Sequence, residues 1–124
     1  MLTEYNLAME NQDELINAFE AFGLVDIRVG RILRAEVNTQ ARKPAYKLWI
    51  DFGPLGERTS SAQITDLYTP VQLIGRQIVA AVNLGSRLIG GFRSEALVLG
   101  AADSEGRVVL LEVEREVECG GKIY

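Results

Sequence analysis

The sequence predicts an all-β fold, a small closed or partly closed β-barrel with a short helix ahead of it and another between its third and fourth strands. Three observations carry this. From Val25 onward, apolar and polar residues alternate with the period of two that places them on opposite faces of a strand. Five to six such runs fall within about 90 residues, separated by segments rich in Gly, Pro, Ser and Asp. The longest run carries a glycine at its middle, which lets a strand bend across two halves of a barrel.

Before the barrel, "NQDELINAFEAFG" predicts an amphipathic helix, with Asn11 as cap, Glu14 completing a capping box and Gly23 closing the end. Leu15, Ile16, Phe19 and Phe22 share one face of it. The first strand is "VDIRVGRILRAEV", whose odd positions Val25, Ile27, Val29, Leu33, Ala35 and Val37 are apolar, with a break in the alternation at Arg31 and Ile32. The second is "YKLWIDFG": Tyr46, Leu48, Ile50 and Phe52 form the core face, and Trp49 points outward with Lys47 and Asp51. "RTSSAQI" suits a polar, half-exposed strand. "TDLYTPVQLIG" suits a short helical connection that Pro70 interrupts or starts. "RQIVAAVNL", "SEALVLG" and "RVVLLEV" are the remaining strands, the last two parted by the turn "ADSEG". Glycines in "NLGSRLIGGFRSEALVLG" suit a tight hairpin, since neither the P-loop nor the dinucleotide-binding pattern is present. No repeat or linker divides the chain. Residues 1–22 form an extension with the helix, and 23–124 one domain.

Composition excludes several chemistries. With no histidine and one cysteine among 124 residues, the chain cannot assemble a Ser-His-Asp triad, a Cys-His pair or an ordinary zinc site, and no cofactor or metal is expected. A serine–lysine pair, Ser60 or Ser61 with Lys47, is the residual enzymatic option, set against a solvated surface. Cys119 has no intramolecular partner, in keeping with a reducing compartment. No run approaches the ~20 apolar residues of a membrane span, and the acidic start lacks the order of a signal peptide, so the expected location is the cytoplasm, without membrane insertion.

The net charge of −4 is unevenly spread. Residues 1–27 carry six acids and no base, residues 28–93 ten bases against four acids, and residues 94–124 three bases against seven acids. Screening confines each charge to about 8–10 Å, so a basic middle can present a positive stripe on an acidic protein.

In order along the chain, "VDIRVGRI", "AYKLW", Asn83-Leu84 and "GFRSEALVL" resemble the signature of the tRNA-binding domain found alone and appended to some aminoacyl-tRNA synthetases. Tyr46 stands where that family usually has Asp, and Leu97 where it has Met. "ARKPAYKLWIDFG", "SSAQIT" and the closing "VVLLEVEREVECGGKIY" are similar, within that family, to the small CsaA proteins, secretion-related chaperones. The resemblance covers about 100 residues and leaves the first ten to fifteen unexplained. It implies an OB-fold barrel, a homodimer without catalytic activity, and a groove for unfolded or pre-secretory polypeptide or for structured RNA such as tRNA, with a secretion motor as a further candidate partner.

The candidate site residues follow from combining that resemblance with their chemistry. Arg42, Lys43, Lys47, Arg87 and Arg93 are cations placed to meet phosphates. Ser60, Ser61, Gln63, Asn83 and Ser94 offer uncharged donors and acceptors suited to backbone phosphates or to an extended peptide's amides, and Leu97 supplies apolar surface beside them. Phe19, Phe22 and Trp49 are the candidate subunit contacts.

Overall fold

A computed structural model describes residues 16–124. Its longest strand, β1 (Ile27–Val37), serves two halves of one sheet. Residues 27–31 pair antiparallel with β4 (Gln77–Ala81), and residues 31–37 with β2 (Tyr46–Asp51). The glycine at the middle answers a packing need: a Cβ on Gly30 would lie 2.6 Å from both Ile50 Cγ2 and Phe52 Cε1.

The register then shifts between Ile32 and Arg34, a bulge that changes which residues face inward. Val29 and Ala35 are buried as the alternation predicts, but Ile32 is fully buried while Leu33 and Val37 stand about half exposed. In β2 the prediction holds residue for residue. Tyr46, Leu48 and Ile50 enter the core with Phe52 just beyond, and Lys47, Trp49 and Asp51 lie half-buried on the other face.

A 3-10 turn (Gly53–Leu55) leads into β3 (Glu57–Ala62), which pairs with the second edge of β2. Pro70 opens α2 (Pro70–Leu73), where its missing N–H costs nothing, and Thr69 caps it in a reciprocal box with Gln72. Leu73 from this short helix plugs the core beside Ile32, Leu48, Ile50, Phe52 and Ile78.

The sheet runs in the order β3-β2-β1-β4-β7, with β7 (Leu97–Val98) only two residues long. Thr59 carbonyl oxygen accepts from the amides of Glu95 (2.8 Å) and Ala96 (3.0 Å), bringing the chain that enters β7 back to β3. The result is a nearly closed five-strand barrel.

Two hairpins stand outside this sheet: β5 (Arg87–Ile89) with β6 (Phe92–Ser94), and β8 (Gly100–Ala102) with β9 (Val108–Leu110). The first turns on Gly90 and Gly91, with φ of 57° and 78°, the left-handed pair that a two-residue hairpin loop demands. The runs read as single strands are therefore cut shorter. "SEALVLG" is divided among β6, β7 and β8, and "RVVLLEV" keeps only Val108–Leu110.

Ahead of the barrel, α1 (Ala18–Leu24) is capped by Asn17 with Glu20. The predicted capping box at Asn11 and Glu14 lies outside the described residues. Among those residues, no helix is long and apolar enough to cross a membrane.

Candidate functional site

Barrel closure at Thr59 is local, and past it the two sides diverge. A groove of about 480 Å³ opens there, with residues 60–64, the end of β3 and the two residues after it, along one wall and the β5–β6 hairpin and residues 94–98 along the other. Six of the sequence-predicted residues line it: Ser60, Ser61, Gln63, Arg87, Ser94 and Leu97. Leu97 is 54% exposed and Leu84, part of the signature but not among the expected site residues, 55%.

The polar residues of the groove are joined by short-range hydrogen bonds. Ser61 N–H donates to Ser94 Oγ at 3.0 Å, and Ser61 Oγ accepts from Asn38 Nδ2 at 3.1 Å. The Thr59 amide donates to the Glu95 carboxylate at 3.0 Å, and the Thr59 hydroxyl, 3.1 Å from the same oxygen, donates to the Arg93 carbonyl at 2.7 Å. Ser60 is almost wholly buried.

Asn38 is the joint that sequence reasoning missed. Nearly buried at the end of β1, its Nδ2 donates to Ser61 Oγ and to the Ile89 carbonyl (3.1 Å each), while Oδ1 accepts from Gln40 N–H at 3.3 Å. One amide thus fastens β3, the hairpin and the 38–45 loop together. Gly90 completes the fit, since a Cβ there would come within 2.6 Å of the Gln40 backbone. An asparagine where a strand gives way to a polar turn was the visible signal, but its partners are 23 and 51 residues away.

The predicted cations gather on the other side of the same hairpin and along it. Lys47, opposite Ser61 across β2 and β3, holds its Nζ 5.4 Å from the Phe92 ring centroid. Arg93 donates to Ser86 Oγ at 2.9 Å, and Arg42 and Lys43 are exposed on the 38–45 loop. Arg28, Arg31, Arg34, Arg107 and Arg115 are each paired with an acid. Arg42, Lys43, Lys47, Arg87 and Arg93 have no such partner among the described residues. No hydrogen bond joins Lys47 to Ser60 or Ser61 among those residues either.

Asn83 stands apart from the groove. Its Nδ2 donates to Leu24 carbonyl oxygen and its Oδ1 accepts from Asp26 N–H, both at 2.8 Å, which ties the end of α1 to the end of β4. Trp49 sits edge-on to Phe92, with centroids 5.2 Å apart, beneath the Arg34 guanidinium at 4.3 Å. Phe19 is 87% exposed and Phe22 about half exposed on α1. Tyr46 is core rather than surface, its hydroxyl donating to the Tyr68 carbonyl at 2.7 Å.

Residues 27–122 match the family model described as "Putative tRNA binding domain". The chain belongs to this tRNA-binding domain family. The methionine–tRNA ligase of Methanopyrus kandleri is 34% identical over 125 residues, which is 99% of this chain and 18% of the ligase. That of Archaeoglobus fulgidus is 37% identical over 115 residues, 93% of this chain and 17% of the ligase. The chain therefore spans less than a fifth of these ligases and is matched to one domain of them. Among solved structures of tRNA-binding domain type, the chaperone CsaA of Bacillus anthracis is 46% identical with a TM-score of 0.79, covering 89% of this chain and 100% of CsaA. The CsaA of Picrophilus torridus is 44% identical with a TM-score of 0.81, covering 88% and 100%. These likenesses place the barrel in the OB-fold class of the tRNA-binding domain.

Proposed function

We propose that this chain is a non-catalytic chaperone of the CsaA type that holds unfolded or pre-secretory polypeptide in the groove beside β3. The observation that carries the reading is the groove's make-up, with half-exposed Leu84 and Leu97 beside the uncharged polar groups of Ser61, Gln63 and Ser94. Leucine surface left in water gains about 25 cal/mol per Å² when a client covers it. Hydroxyls and amides meet the backbone of any polypeptide without demanding a particular side chain. Likeness to two CsaA chaperones along their whole lengths supports this choice.

The working unit in this reading is a cytoplasmic homodimer, with Phe19, Phe22 and Trp49 as the subunit contact and a secretion motor as a further partner. Two-fold symmetry would set two grooves on one particle, so that weak contacts gain by avidity. Sedimentation tests this part: a monomer at micromolar concentration overturns the assignment of those three residues.

One observation favours a second reading, binding of tRNA or other structured RNA. It is that five of the eight cations without an acidic partner among the described residues lie about the hairpin and the 38–45 loop. Likeness to a domain of methionine–tRNA ligases supports it. Titration with a reduced, carboxymethylated polypeptide and with tRNA, each at low and physiological salt, separates the two. Polypeptide affinity that survives physiological salt while tRNA affinity collapses supports the chaperone; tRNA affinity that persists alone overturns it.

A further inference from the structure

The outer edge of β3 changes character at the groove. At Thr59 the outward carbonyl takes the main-chain amides of Glu95 and Ala96, while the outward amide donates to the Glu95 carboxylate. Two residues on, the next outward amide, that of Ser61, meets a side-chain hydroxyl at the end of β6, Ser94 Oγ at 3.0 Å, and no main-chain carbonyl. Here the barrel wall parts and the groove begins. A strand edge presenting N–H and C=O groups is a template for another extended chain, and natural proteins commonly block such edges. Ser94 occupies the place that a carbonyl of an added strand would take.

The groove carries one cation and one carboxylate among the described residues. Its two ionisable side chains are Arg87 and Glu95. The Glu95 carboxylate takes the Thr59 amide, whereas Arg87 has no ion-pair partner among the described residues. Leu84 and Leu97 lie along the same channel. We infer that the groove's occupant is an extended polypeptide segment added as a strand to the β3 edge, with alternate apolar side chains against Leu84 and Leu97 and a carboxylate reaching Arg87. Its carbonyl takes the Ser61 amide, and the Ser94 hydroxyl swings aside. Main-chain pairing of this kind supplies affinity that does not depend on sequence, and the alternate side chains supply what selectivity there is.

The inference rests on the chaperone reading and deepens it. Its test uses the full chain and a ten-residue peptide of alternating leucine and serine ending in aspartate, beside a reduced, carboxymethylated polypeptide as control. Amides of successive strand residues point to opposite edges. Two further peptides are therefore made, N-methylated at the odd or at the even residues. The expected result is that one methylated isomer loses at least about tenfold in affinity while the other stays within about twofold of the parent. Equal effects of the two isomers overturn the inference, as does a parent peptide that fails to bind when the polypeptide binds. Failure of the peptide and polypeptide together overturns the chaperone reading itself.

Two variants bear on the same point. Ser94→Ala leaves the Ser61 amide without its stand-in acceptor and should bind the parent peptide about three- to tenfold more tightly, which loss of a purely structural contact would not do. Ser61→Pro removes the amide at a site where the edge faces outward, and should weaken binding about tenfold with the β-sheet circular dichroism retained. Unchanged affinity in both variants contradicts the strand geometry.

Discussion

Replacing Leu84 and Leu97 with serine removes apolar surface that the groove offers to a client. Both side chains are a little over half exposed, at 55% and 54%, so the fold already uses less than half of each. Complete burial of a leucine is worth about 1.5–3 kcal/mol, and covering the remaining half is worth about 1 kcal/mol per residue. If the two act independently the double variant loses about 2 kcal/mol of binding, or about 30-fold in Kd. The assay is fluorescence anisotropy of a labelled, reduced and carboxymethylated polypeptide at physiological salt, with tRNA titrated in parallel. Polypeptide binding should fall by that factor and tRNA binding should hold. A folded double variant that binds polypeptide as the parent does would place the client away from this groove.

Other expectations reach the rest of the molecule. Arg42→Ala with Lys43→Ala should flatten the dependence of log tRNA affinity on log salt by about 1.4–1.8, two phosphates' worth at 0.7–0.9 each, and leave polypeptide capture unchanged; an unaltered slope would remove the loop from the RNA surface. Gly30→Ala drives a methyl group into Ile50 and Phe52 and should cost about 1–3 kcal/mol, seen as an earlier midpoint in urea unfolding, and a neutral result would contradict the packing described at the bend. The Asp103 carboxyl is held below the usual carboxylate range, chiefly by the Arg107 amide. A depressed folded-state pKa gives stability that is complete above the unfolded value of about 3.9 and is lost as pH falls through the folded value. Asp103→Ala should thus be less stable than the parent at pH 7, the gap closing below about pH 4; a gap constant with pH would contradict it.

What could be read in the sequence was whatever a few neighbouring residues decide. The alternation in β2 assigned all its faces because no bulge interrupts it, and the glycines of the 83–100 stretch announced a tight turn, though not that it falls at Gly90–Gly91 between two short strands of their own. Pro70 marked a helical connection that it would interrupt or start, and the Thr69 cap in front of it makes it the start. In β1 the glycine was legible as a bend, but the bulge depends on how β2 and β4 divide that strand, so Ile32 and Leu33 exchanged faces.

Site residues divide along the same line. Six of the predicted set meet in the groove, yet Asn83 turns to the α1 terminus and Asn38 emerges as the joint, because hydrogen-bond partners 23 to 59 residues distant are settled by topology. Counting charges located a basic middle. Only the fold separates Arg28, Arg31 and Arg34, which are neutralised by acids, from the five cations around the hairpin.

The most direct test of the account is a nuclear magnetic resonance footprint. The isotope-labelled full chain is titrated with reduced, carboxymethylated polypeptide, and backbone amide shifts are followed residue by residue. Polypeptide held in the groove predicts the largest changes at residues 60–64 and 94–98, with the Ser61 amide among the most affected. Changes confined to Arg42, Lys43 and the rest of the 38–45 loop, with residues 60–64 and 94–98 silent, would contradict it.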